Sequence, residues 1–176
     1  MTGPSGIGKT TLVRHFTNSL VRDECAVVLA GRCYAREAVP FKAFDGVMEM
    51  LSRLLRGIPE HVLEPRLPKD AAALARVFPI LRRVSPVDRR AAEAFEITDQ
   101  WELRRRAFTA FRETLADISM ERPVVLHIDD LQWADRDSAD VLEDLLRSTK
   151  NTLVLFVLSF RSEEVDSVTL LKRLVE

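Results

Sequence analysis

Gly3-Pro4-Ser5-Gly6-Ile7-Gly8-Lys9-Thr10 fills every fixed position of the pattern G-x-x-x-x-G-K-[ST]. At average residue usage, a chance match in a chain this long has odds of about one in a hundred or less. The residue types follow from the task of holding phosphate. Glycines let successive backbone N–H groups turn into one concavity that accepts anionic oxygens. Those groups stand at the start of a helix, whose positive dipole end adds to the attraction. Lys9 sets a point charge on the β and γ phosphates, and Thr10 offers a hydroxyl to Mg²⁺. The candidate phosphate ligands are therefore Gly3, Pro4, Ser5, Gly6, Ile7, Gly8, Lys9 and Thr10, with Thr11 next in the helix.

The second informative stretch is Val124-Val125-Leu126-His127-Ile128-Asp129-Asp130. An apolar strand ending in acids delivers carboxylates to the C-terminal edge of a parallel sheet, where α/β folds bind ligands. Asp129 is the expected Mg²⁺ ligand beside Thr10. Asp130 is the expected residue that orients or deprotonates the attacking water. An Asp-Asp pair alone often only opens a turn; the phosphate loop on the same chain is what favours the functional reading. Arg161, directly after the apolar run Leu153 to Phe160, is the third candidate, placed to reach a γ-phosphate. Its competing role is a solvated pair with Glu163 or Glu164.

Other polar residues read as structural. His127 lies mid-strand and is expected to pack in the core, while His15 and His61 have no metal-like partners at useful spacing. Arg104, Arg105 and Arg106 read as a solvated helix face, Trp133 as packing and Asp135 as a helix cap.

Working outward, Leu12, Val13, Phe16 and Leu20 mark one face of a helix after the loop. Cys25 to Gly31 reads as a strand buried on both faces. Pro40 opens a helix whose apolar stripe runs from Phe41 to Leu55 and stops at Gly57 and Pro59. Five prolines, at 59, 65, 68, 79 and 86, then break the chain into short helical pieces, the clearest being Asp70 to Val77. Asp99 caps a long helix with Glu102 in capping-box position, and Trp101, Phe108, Phe111, Leu115 and Ile118 line its face. A helix from Arg136 to Ser148, a strand from Leu153 to Phe160 and a helical C-terminus complete the pattern. Alternating strands and helices predict an α/β fold with a parallel sheet flanked by helices. The stretch of about ninety residues between the first two strands exceeds a simple crossover, so a helical insertion is expected at about 57–98 of a single domain spanning 1–176.

Composition sets outer bounds. The chain has 176 residues, 47% hydrophobic and 30% charged, with a formal net charge of -1. That charge balance gives no support for direct nucleic-acid or anionic-membrane binding. No apolar run reaches bilayer-spanning length, and no secretory signal opens the chain. Cys25 and Cys33 stand at opposite ends of one strand, too far apart to bridge, so a reduced cytoplasmic setting is expected.

The stretches GPSGIGKTTLVRHF, GRCYAREAVPFKAFDGV, VVLHIDDLQWAD and LFVLSFRSEE together resemble the AAA-type ATPase module of STAND-class signalling NTPases, grouped with origin-recognition-like AAA ATPase domains. The resemblance covers nearly the whole chain. It implies the P-loop NTPase fold, with strands ordered 153–160, 124–129, 25–31. It implies ATP and Mg²⁺ as cofactors, Asp129 and Asp130 as Walker B acids, and Arg161 at the sensor position. It also implies neighbouring domains in a longer bacterial regulator: a kinase, a cyclase, a DNA-binding domain or helical repeats. Family members place an apolar strand before the loop and continue into a final core strand and lid. Here only Met1 and Thr2 precede Gly3 and the chain stops at Glu176, so the first and last core strands are expected to be missing from what reads as a piece of a longer protein. Two other readings share the same loop: a structural ATP/ADP-binding module with negligible turnover, and a DNA-binding initiator ATPase. A GTPase lacks support because no N-K-x-D motif occurs, and a transporter ATPase because no L-S-G-G-Q-like signature does.

Overall fold

The computed structural model describes residues 1–35, 39–148 and 152–167. The two apolar runs expected to be buried strands lie side by side in parallel: β2 (Val27–Arg32) and β3 (Val124–Asp129), with Val27 opposite Val124 and Arg32 opposite Asp129. Every residue of β3 is buried, as a strand covered on both faces requires. β4 (Val154–Leu158) flanks β3 on its other side, also in parallel. The order β4–β3–β2 is the one the resemblance implies.

The run Leu153 to Phe160, expected as one strand, is divided at Ser159. The Ser159 N–H donates to the Ile128 carbonyl, and its own carbonyl accepts from the Leu131 N–H. Beyond that point β3 has ended, and the chain continues as β5 (Phe160–Arg161) beside a different neighbour. That neighbour corrects the expectation of a missing first strand. Thr2–Gly3 forms a short β1 paired in parallel with β5, Thr2 opposite Phe160 and Gly3 opposite Arg161. The Met1 amino group adds a hydrogen bond to the Leu158 carbonyl at 2.7 Å. The helical C-terminus expected from the sequence lies outside the described residues after a 3₁₀ stretch at Ser162–Ser167.

Helix α1 (Lys9–Arg22) follows the glycine loop, but only Val13 and Thr17 are buried along it; Leu12 and Phe16 are exposed. α2 (Asp45–Arg56) begins later than the Pro40 stripe predicts. Phe41 adopts a left-handed φ of 63°, its N–H donates to Asp135, and its ring meets Phe78 and Phe108 edge-on. This anchored turn, followed by a 3₁₀ segment at Lys42–Phe44, delays the helix. Between Gly57 and Thr98 lie α3 (Glu60–Leu63), α4 (Ala71–Val77) and α5 (Ser85–Glu93), separated by the prolines.

α6 (Gln100–Glu121) is capped as expected: the Asp99 carboxylate accepts from the Trp101 N–H. Its expected capping-box partner is engaged elsewhere, because Glu102 binds Arg105 and Arg106. Trp101, predicted on the buried face, is 83% exposed; the helix first packs on the core at Leu103 and is fully buried on that face from Ala107 onward. Arg104 is drawn from solvent to Asp137 at 2.6 Å and over the Phe41 ring. α7 (Arg136–Ser148) completes the helices, with Asp135 accepting from the Ser138 N–H at its start. The central contact is Phe44 of the 3₁₀ turn against Phe111 of α6, edge to face at 6.0 Å and both fully buried. Cys25 and Cys33 are both free. Among the described residues no helix is long and apolar enough to cross a membrane.

α2 approaches β2 backbone to backbone. A Cβ on Gly31 would stand 2.1 Å from the Ala43 carbonyl oxygen, and one on Gly46 would stand 2.7 Å from that of Ala30. Neither oxygen can yield without moving its element. Gly31→Ala should therefore lose stability at the upper end of about 1–3 kcal/mol or beyond, read as a lowered urea midpoint. An unchanged midpoint would mean that β2 and the 3₁₀ segment before α2 are not packed this closely.

Candidate functional site

The C-terminal ends of β1, β3 and β5 carry the three sequence candidates, the phosphate loop, the acid pair and Arg161. The loop between β1 and α1 holds Gly6 at φ 79° and Gly8 at φ 95°, conformations that residues with side chains rarely adopt. Lys9 begins α1 and folds back across the loop, its ammonium donating to the Gly3 carbonyl at 2.6 Å and to that of Pro4 at 2.9 Å. These contacts hold the cation above the loop mouth. Glu163 is drawn to the same mouth. Its carboxyl is held below the ordinary range chiefly by its own backbone N–H; desolvation opposes this, and the Ser5 N–H, the Ser162 hydroxyl and the Lys9 charge add to it. A carboxylate collecting at these groups is what an anion-binding concavity predicts.

Asp129 is the junction. Its Oδ2 accepts from the Thr10 hydroxyl at 2.9 Å, and its Oδ1 accepts from the Ser159 hydroxyl and from the Asp130 N–H at 3.0 Å. It is 5% exposed. Burial works against its charge, yet the Ser159 and Thr10 hydroxyls and the Asp130 N–H together outweigh burial, so its pKa lies below the usual carboxylate value. Thr10 and Asp129 thus present a hydroxyl and an ionised carboxylate in contact. This hard-oxygen pair suits Mg²⁺, which takes few protein ligands and completes its shell from phosphate and water.

Asp130 adopts a left-handed conformation, φ 55°, and turns its carboxylate out of the strand direction. Oδ2 accepts from Arg32 Nε at 3.0 Å and Nη2 at 2.7 Å, and Oδ1 accepts from Gln132 Nε2 at 3.1 Å. Gln132 also accepts the Arg161 N–H through Oε1 at 3.2 Å, tying Asp130 to β5. Arg161 itself pairs with Gly3 across β1 and β5, which places it beside the phosphate loop. His127 is buried as expected; burial lowers its pKa, partly opposed by Asp129, so it is neutral near pH 7. Trp133, expected to pack, is 38% exposed.

Sequence reading missed Arg32, Ser159 and Gln132. A signal existed for Ser159, the single polar residue in the run Leu153 to Phe160. Arg32 had no such signal, because its role depends on the register that sets β2 beside β3.

Comparison with known protein families matches residues 1–158 to the AAA ATPase domain. The chain belongs to that family. No curated protein and no solved structure matches it. An AAA ATPase domain is a nucleotide-binding unit of P-loop type, and the parallel sheet and its flanking helices agree with that fold.

Ser159→Ala should raise the Asp129 pKa, because it removes the leading hydrogen bond to the charged form. A lowered carboxylate pKa stabilises the fold above the unfolded-state value, and that stability is lost as pH falls through the folded value. The variant should therefore be less stable than the parent near neutral pH, with the gap closing in acid. Urea titrations across pH, together with the Asp129 side-chain carboxyl carbon followed by NMR, read both effects. An unmoved titration would remove Ser159 from the site.

Proposed function

We propose that this domain binds ATP with Mg²⁺ and hydrolyses the terminal phosphate as a regulatory switch within a larger cytoplasmic signalling protein. The observation that carries the proposal is the meeting of Thr10 and Asp129 beside a left-handed glycine loop. Gly3 and Ser5 to Gly8 supply N–H groups to the phosphates, Pro4 having none to give, with Lys9 above them and Thr11 following Thr10 in α1. Thr10 and Asp129 hold the metal, which when bound neutralises phosphate charge. Asp130 orients the attacking water and accepts its proton, and Arg161 reads the presence of the γ-phosphate. The partners are nucleotide and neighbouring domains of the same longer chain, such as a kinase, cyclase, DNA-binding or helical-repeat domain.

A second reading, a nucleotide-holding module with slow turnover, is favoured by one feature. Both Asp130 oxygens are engaged, one by Arg32 and one by Gln132, which leaves the carboxylate turned to protein donors and not to an attacking water. The two readings are linked if Arg32 restrains Asp130 until nucleotide binding releases it.

Lys9→Ala should weaken Mg·ATP binding on the order of a hundredfold, about 2.7 kcal/mol, by isothermal titration. Unchanged affinity would contradict the loop assignment.

Asp130→Asn should keep ATP bound and slow single-turnover phosphate release, whereas Asp129→Asn should weaken Mg²⁺-dependent binding. Identical behaviour of the two would contradict the division of roles. Arg32→Ala should speed phosphate release if Arg32 is a restraint; slower release would make it part of the catalytic apparatus.

A further inference from the structure

β3 ends at Asp129, whereas the chain beside it runs on through Ser159 into β5. Along a strand, successive N–H groups face opposite sides. The Phe160 N–H donates to the Met1 carbonyl, next to β1, at 3.2 Å. The Arg161 N–H faces the other way, where β3 has stopped, and a backbone donor left there without an acceptor is costly. Gln132 fills the gap. Its Oε1 accepts that N–H at 3.2 Å, and its Nε2 donates to Asp130 Oδ1 at 3.1 Å.

The two neighbours dictate the residue type. One is a backbone donor and the other a carboxylate, so the bridging side chain must accept at one atom and donate at another. A primary amide does both, and turning it over would break both bonds. A glutamate there could only accept and a lysine only donate. The bridge is also firm at its base. Gln132 is 6% exposed and lies in the 3₁₀ turn Leu131–Trp133, where the Leu131 N–H donates to the Ser159 carbonyl and the Trp133 N–H to that of Asp130.

The two oxygens of Asp130 are therefore held unequally. Oδ1 has the amide of a buried side chain. Oδ2 has Arg32, whose side chain is 52% exposed, and an exposed ion pair is the weaker grip. We propose that Gln132 is a positioning residue, which fixes Asp130 through Oδ1 so that Oδ2 is the oxygen turned to the attacking water once Arg32 is displaced. This role rests on the hydrolysis reading above, in which Asp130 takes the proton of that water. It gives the two donors opposite senses: losing Arg32 frees the carboxylate, and losing Gln132 disorients it.

Two variants separate the two halves of the bridge. Gln132→Met removes both hydrogen bonds at similar volume, and Gln132→Glu keeps the acceptor for Arg161 while losing the donor to Asp130. Without nucleotide, amide hydrogen exchange at Arg161 should quicken in Gln132→Met and stay near the parent rate in Gln132→Glu. In single-turnover phosphate release at saturating Mg·ATP, both variants should be slower than the parent by about tenfold or more, with ATP affinity changed less than about threefold. A side chain that only staples β5 would leave Gln132→Glu at the parent rate, and a restraint of the Arg32 kind would make both variants faster. Either result overturns the proposal. Should Gln132→Met fail to fold, Gln132→Glu carries the kinetic test. Gln132→Met added to Asp130→Asn should slow release no further; a second loss of full size would show that Gln132 does not act through Asp130. A parent chain that releases no phosphate overturns the hydrolysis reading and this role with it, whereas unchanged Arg161 exchange in Gln132→Met overturns the bridge alone.

Discussion

The hydrogen bond from Thr10 to Asp129 spans 119 residues of sequence and joins the start of α1 to the end of β3. It forms where the glycine loop turns left-handed twice and β3 lies between β2 and β4. The Ser159 hydroxyl then takes the other Asp129 oxygen, so one buried carboxylate gathers three segments far apart in sequence. A buried carboxylate in this position is costly unless its charge is met by donors. Two hydroxyls and an N–H meet it, and the charge they retain is the charge a divalent cation requires.

Asp130 is governed by a different constraint. Its backbone leaves the strand in a left-handed conformation, which an aspartate tolerates better than most residues. The consequence is that adjacent acids point to different partners: Asp129 toward α1 and Ser159, Asp130 toward Arg32 and Gln132. Gln132 extends the second group to β5, where Arg161 sits opposite Gly3. A change at the phosphate loop therefore has a short bonded route to the Asp130 carboxylate, through β1, β5 and Gln132. Arg32 is the competing partner on that route, and it stands at the end of the β2 strand whose close packing on α2 fixes its position.

Much of this was legible in the sequence. The glycine loop, the acidic end of β3 and the Asp99 cap follow from local patterns whose physics is short-range, whereas the strand order came from the family resemblance. The readings that failed were those decided by tertiary contacts. The delayed start of α2 depends on Phe41 being held by Asp135, ninety-four residues away. Trp101 obeys helical periodicity but lies ahead of the point where α6 meets the core. The division of the last strand at Ser159 depends on where β3 stops and on Met1 and Thr2 supplying a new neighbour. Arg32 was invisible because an arginine at a strand end looks solvated until the register places Asp130 within reach.

The central claim is that Thr10 and Asp129 together make nucleotide binding metal-dependent. Isothermal titration of the unmodified chain with ATP, once with Mg²⁺ and once with the divalent ions chelated, tests it most directly. The account predicts distinctly tighter binding with Mg²⁺, the difference vanishing when Thr10 is replaced by Val. Equal affinity with and without the metal in the unmodified chain would contradict it.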